Sequence, residues 1–155
     1  MGVSRRGDMI KKEIEYETDF VKWARNQTYY LKNKEFSRLD IDNLIEEIEC
    51  LGRSEKRTLQ SYLEILLMHM LKLKYQRGKH TKSWDLSIKE SNRKVQKTLS
   101  CNRCLKNDIK EILDDAYYSA RLQAARETKL PEETFPEECP WNPTDLFPDL
   151  EKKYC

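Results

Sequence analysis

The stretch LDIDNLIEEIECLGRSEKRTLQSYLEILLMHMLKLKYQ, Leu39 to Gln76, decides the fold. It contains no proline and a single glycine, Gly52. Apolar residues recur at helical spacing: Ile41, Leu44, Ile48, Leu51, then Leu59, Tyr62, Leu66 and Leu73. Such a pattern predicts one long amphipathic helix, or two collinear ones meeting at Gly52. Asp40 stands where an N-cap is needed, and Asp42 in the first turn suits the positive end of the helix dipole.

Outward from this helix the chain keeps the same character. Phe20, Trp23, Ala24, Gln27, Tyr30 and Leu31 share a face of a first helix running from about Thr18 to Asn33, with Phe36 anchoring the loop after it. RGKHTK interrupts the pattern. A third helix then opens at Thr81 or Ser83 and turns Trp84, Ile88, Ser91, Val95 and Leu99 inward. SCNRCLKN is a connection. Asn107 caps a fourth helix, where Ile109, Ile112, Leu113, Ala116, Tyr117, Ala120 and Ala124 are apolar. All five prolines lie beyond Lys129, so that segment cannot continue a helix. Its Phe135, Trp141 and Phe147 predict a strap laid over apolar surface.

The expected fold is therefore all-α: a helical bundle built on one long central helix, with a Pro-rich extended C-terminal strap. Residues 1–16 are expected to be a flexible N-terminus, 17–150 a single helical domain with the strap at 129–150, and 151–155 a tail.

Composition excludes several functions. Charged residues make up 36% of 155, and only four glycines are present, so neither a Walker loop nor another Gly-rich phosphate loop can be built. No apolar run is long enough for a membrane span. The opening MGVSRRGDMIKKEIEYE has no apolar core of a secretory leader, and a cytoplasmic protein is expected. Five cysteines at irregular spacing, an odd number, make a poor disulfide framework. Cys101 and Cys104 form half of a zinc-ribbon spacing whose second half is missing.

Two groups of residues invite a functional reading. The first is a candidate polar site of His69, Gln76, Trp84, Glu46 and Glu47. Ferritin-like carboxylate centres need Glu-x-x-His pairs, and Leu66 sits where that glutamate would be. Hence no catalytic residue, metal or other cofactor is assigned. The second group is basic: Lys72, Lys74, Arg77, Lys79, Lys82, Lys89, Arg93 and Lys97, interleaved with Tyr75 and Trp84. Cations beside aromatics suit a nucleic-acid backbone. The acidic stretch from Glu127 onward can neutralise them within the chain.

Several patches, in order, resemble the bacterial domain of unknown function family 29: YETDFVKWARNQ (16–27), LDIDNLIEEIECLGRSEKRTL (39–59), LLMHMLKLKYQ (66–76), SWDLSI (83–88), AYYSAR (116–121) and ETKLPEETFPEECPW (127–141). The matching polar positions include Asp19, Trp23, Gln27, Glu46, Glu47, His69, Lys72, Gln76, Trp84, Tyr117 and Glu127. The resemblance implies an all-helical fold and brings no enzymatic activity. The functional expectation is a non-enzymatic helical interaction module that binds a protein partner or itself. The alternative is a nucleic-acid-binding or nuclease-associated protein using residues 72–97. No small-molecule substrate is evident from the sequence.

Overall fold

A computed structural model describes residues 7, 15–76 and 78–150. Of the expectations above, most of the flexible start, Arg77 and the 151–155 tail lie outside the described residues. Among the described residues, 15–18 are helical, and five α-helices follow in chain order: α1 (Phe20–Lys32), α2 (Ile41–Tyr75), α3 (Lys82–Cys101), α4 (Ile109–Thr128) and α5 (Pro143–Leu146). Single 3-10 turns occupy Phe36–Arg38, Arg103–Lys106 and Glu132–Thr134. Among the described residues there is no β-strand, and the protein is an all-α bundle with one long helix. Helix α2 is helical at every residue, Gly52 included.

The chain divides into two compact units, Met1–Gly52 and Arg53–Cys155. The C-terminal unit holds the hydrophobic core. Leu59, Leu63, Leu66, Leu67 and Leu71 of α2 are fully buried there. They cluster with Val95 and Leu99 of α3, and with Ile112, Leu113, Ala116, Tyr117, Ala120 and Ala124 of α4. The alanines sit one turn apart, and their small side chains allow another element to approach α4 closely. The buried stripe of α2 is rotated from the one read in the sequence. Leu63, Leu67 and Leu71 face the core, while Leu73 is exposed. Both phases are apolar in this Leu-rich segment, so periodicity alone could not choose between them.

The strap is held by its aromatics and by α4. Phe135 and Phe147 are buried in the core, and Trp141 packs against it half-buried. Tyr117 Oη donates to the Pro136 carbonyl at 2.7 Å. Arg121 donates to the Phe135 carbonyl and forms an ion pair with Glu132 at 2.8 Å. Local chemistry sets the turns. Lys129 ends α4 in the left-handed region at φ 58°. Pro143 takes the first position of α5, where its missing N–H costs nothing. Asp145 Oδ2 accepts from the Asn142 N–H just before it.

The N-terminal unit is built differently. Asp19 caps α1, its Oδ1 accepting from the Lys22 N–H. Trp23, Gln27 and Asp40 are its buried residues among those described. They form one hydrogen-bonded set. Trp23 Nε1 donates to Asp40 Oδ2 at 2.9 Å, and the Asp40 N–H donates to Gln27 Oε1 at 2.8 Å. Asn43 Nδ2 adds a second donor to the same carboxylate oxygen at 2.8 Å. Asp40 does stand at the start of α2, its carbonyl accepting from the Leu44 N–H. Its carboxylate, however, ties down α1.

The face predicted for α1 is only half right. Trp23 and Gln27 are buried, but Phe20 and Leu31 are exposed. Phe36, expected as an anchor, is also exposed. Among the described residues of this unit, Trp23 is the one buried apolar side chain.

Candidate functional site

The sequence-derived polar site separates into two places. In the N-terminal unit, Glu47 accepts from Tyr16 Oη at 2.5 Å. That bond to a carboxylate, with Glu46 adding negative charge nearby, pushes the Tyr16 pKa up to about 12. In the C-terminal unit, His69, Lys72, Trp84 and Glu127 form a polar cluster at the edge of the core.

Lys72 is its centre. It projects from the last turns of α2 and is 8% exposed. Its Nζ donates to Glu127 Oε2 at 2.6 Å and lies 4.7 Å from the centroid of the Trp84 ring. A buried ammonium needs both a counter-charge and a polarisable neighbour, and it has the two here. Glu127 sits in the last turn of α4 and is itself half-exposed, so water still screens the pair.

His69, one turn before Lys72, is half-buried, and its Nδ1 is buried with no hydrogen-bond partner among the described residues. Burial lowers its pKa first, and the positive charge of Lys72 lowers it further, against a smaller opposite effect of Glu127. Both larger effects disfavour the charged imidazolium, and Nδ1 is the ring atom left without a partner among the described residues. Gln76 extends the same helix by one backbone bond, its N–H donating to the Lys72 carbonyl. The unpartnered ring nitrogen and the ion pair together can position a polar group, but no activated nucleophile adjoins them among the described interactions.

Sequence reasoning missed Glu127 as the partner of Lys72, and Asp40 as the partner of Trp23. Both partners are remote in sequence; charge patterning placed Glu127 in the acidic stretch able to neutralise the basic run but could not pair it with Lys72.

The basic residues differ in what they touch. Lys72 is spent internally on Glu127. Lys74 Nζ lies 5.6 Å from the centroids of both Tyr75 and Trp141. Lys79, Lys82 and Lys89 are exposed. Arg93 and Lys97 are exposed on α3 and line a cavity of about 350 Å³. Lys94, on another face of α3, pairs with Glu90 at 3.0 Å.

Cys50, Cys101 and Cys104 are free and exposed. Cys139 is half-buried; its thiol donates to the Trp141 carbonyl, and burial pushes its pKa up. Among the described residues no three His, Cys, Asp or Glu side chains gather as a metal site would need.

The family profile described as domain of unknown function DUF29 matches residues 15–150. The chain belongs to this family. The match takes in both units and every residue of the polar cluster, so the His69–Lys72–Trp84–Glu127 arrangement lies inside the DUF29 region. No curated protein and no solved structure matches this DUF29 chain. Among the described residues no helix is long and apolar enough to cross a membrane.

Proposed function

We propose that this protein is a non-enzymatic interaction module whose N-terminal unit pairs with a second copy of itself. One observation carries the reading. Ile41, Ile45, Ile48 and Leu51 are all exposed on α2, the last two by 66% and 67%. At 3.6 residues per turn they fall within about 120° of one helix face. Phe20, Val21 and Leu31 are exposed on α1 of the same unit. Among its described residues the unit thus has more large apolar side chains exposed than buried.

Charge complementarity favours a second copy as the occupant. The apolar face of α1 is edged by Arg25 and Lys32, which border a shallow depression with Phe20, Val21 and Ala24. Asp42, Glu46 and Glu49 accompany the apolar face of α2. A two-fold arrangement sets the basic-edged face of one protomer on the acidic-edged face of the other, twice over. Seven side chains, each half to two-thirds exposed, represent about 8 kcal/mol of gross apolar transfer, or about 330 Å² per protomer. That area suits the apolar share of an interface at the small end of the standard range.

Analytical ultracentrifugation tests the reading. The expected result is a dimer that becomes monomeric in Ile45→Asp/Ile48→Asp, both exposed positions, with helicity unchanged. Arg25→Glu/Lys32→Glu should weaken the dimer, and adding Asp42→Lys/Glu46→Lys should restore it. A wild-type monomer at about 100 μM, well above the Kd expected of such an interface, sinks the proposal.

A cytoplasmic setting belongs to the same proposal, supported by three exposed, unpaired thiols. The alternative, nucleic-acid backbone binding, draws its support from the exposure of Lys79, Lys82 and Lys89. It requires steeply salt-dependent binding that Lys82→Glu/Lys89→Glu removes.

A further inference from the structure

In the C-terminal unit, a half-open cavity of about 350 Å³ lies between α3, the Arg103–Lys106 turn and the end of the strap. Its floor is apolar and belongs to the core. Leu99 and Phe147 are buried, and Leu150 is half-buried beside them. Its wall is cationic. Arg93 and Lys97 stand one turn apart on the same face of α3. Lys106 and Asp149 close the rim with opposite charges, each with interactions of its own. The formal sum over the lining is three cations against one carboxylate.

The geometry points to a binding site for an amphiphilic organic anion: a carboxylate or phosphate head held by Arg93 and Lys97, with an apolar body on Leu99, Phe147 and Leu150. Three features of the cavity select this class. A purely apolar ligand leaves the excess of Arg93, Lys97 and Lys106 over Asp149 uncompensated in the cavity, with Glu90 acting on Arg93 from one turn away. A bare inorganic anion leaves the apolar floor wet. The volume equals about a dozen water-sized groups, enough for a head and a chain or ring of moderate size, and falls in the small range of ligand pockets.

One opposing effect is the C-terminal end of α3, whose free carbonyls carry roughly half a negative charge. Two full cations one turn apart outweigh it. Arg93 also presents a planar fork that pairs two oxygens of one head group. The site belongs to a different unit from the dimerisation face and does not depend on it.

Titration calorimetry and amide chemical-shift mapping of the intact chain test the assignment, with sodium octanoate, octyl phosphate, octanol and inorganic phosphate as probes. Octanoate or octyl phosphate should bind with a Kd below about 1 mM, and octanol and inorganic phosphate at least about tenfold more weakly. Preference between the two octyl anions identifies the head group. Shifts should centre on Arg93, Lys97, Leu99 and Leu150. Arg93→Gln/Lys97→Gln, both exposed, should leave the thermal midpoint within error and weaken the anions about tenfold or more. The proposal is overturned by absence of binding up to about 10 mM. Equal affinity for octanol and octanoate, equal affinity for phosphate and octanoate, or shifts confined to Ile41–Leu51 each overturn it too. So does a single-stranded oligonucleotide that shifts the same amides while octanoate shifts none.

Discussion

Replacing Asp40 by alanine removes the acceptor that joins α1 to the start of α2. Trp23 Nε1–H is buried and makes its bond to Asp40 at 2.9 Å. Without the carboxylate this donor, 3% exposed, loses its acceptor. A hydrogen bond to a charged acceptor contributes about 1.5–3 kcal/mol, and the cost of orphaning the donor is part of that figure. The half-buried Asn43 bond adds roughly half a kcal/mol. Asp40→Ala should therefore cost about 2–3.5 kcal/mol in the N-terminal unit, and Asp40→Asn, which keeps an amide oxygen for the indole, about 1 kcal/mol.

Urea denaturation followed by far-UV circular dichroism reads both, with a midpoint about 1 M lower for the alanine variant. Trp23→Phe removes the other partner and completes a double-mutant cycle. Its coupling energy should be about 1–2 kcal/mol, since the residues touch. Coupling below about 0.5 kcal/mol would refute the view that this bond holds the unit together. So would an asparagine variant as unstable as the alanine one, because the amide retains the acceptor.

Three further outcomes follow from the C-terminal unit. Tyr117→Phe deletes the donor to the Pro136 carbonyl and should cost about 1 kcal/mol, seen as faster proteolysis of residues 129–150 and a lower urea midpoint. His69 has a folded-state pKa below the unfolded value of about 6.5, so the unfolded chain takes up the proton first. Its contribution is thus complete above about pH 6.5 and is lost as pH falls through that value toward the folded pKa. His69→Gln should flatten the stability curve between about pH 7 and pH 5, and an unchanged slope counts against the burial argument. Glu127→Gln strands the buried ammonium of Lys72, whereas Lys72→Met leaves only a half-exposed carboxylate behind. The first should cost about 1–2 kcal/mol after solvent screening and the second less, an order that paired thermal melts can check.

The sequence alone determined the helices, because helix formation is governed by local periodicity and punctuation. Leu39–Gln76, the proline-free run to Thr128 and the five prolines beyond Lys129 were enough for an all-α chain with a strap. The inward sides of α3 and α4 were legible for the same reason: most of their apolar residues share one phase, with Leu86, Tyr118 and Leu122 left exposed off it.

Tertiary structure decided which apolar stripes are covered. Ile41–Leu51 and Leu59–Leu71 are both apolar at helical spacing, yet only the second has α3, α4 and Phe135 clustered with it. Burial needs a partner surface, which no local pattern encodes. The same holds for charge. Lys72 reads as one more cation in a basic run until α4 brings Glu127 within 2.6 Å and α3 supplies the face of Trp84. Asp40 reads as a helix cap until Trp23, 17 positions away, claims its carboxylate. Desolvation gives these charges their roles, and desolvation depends on groups far apart in the chain.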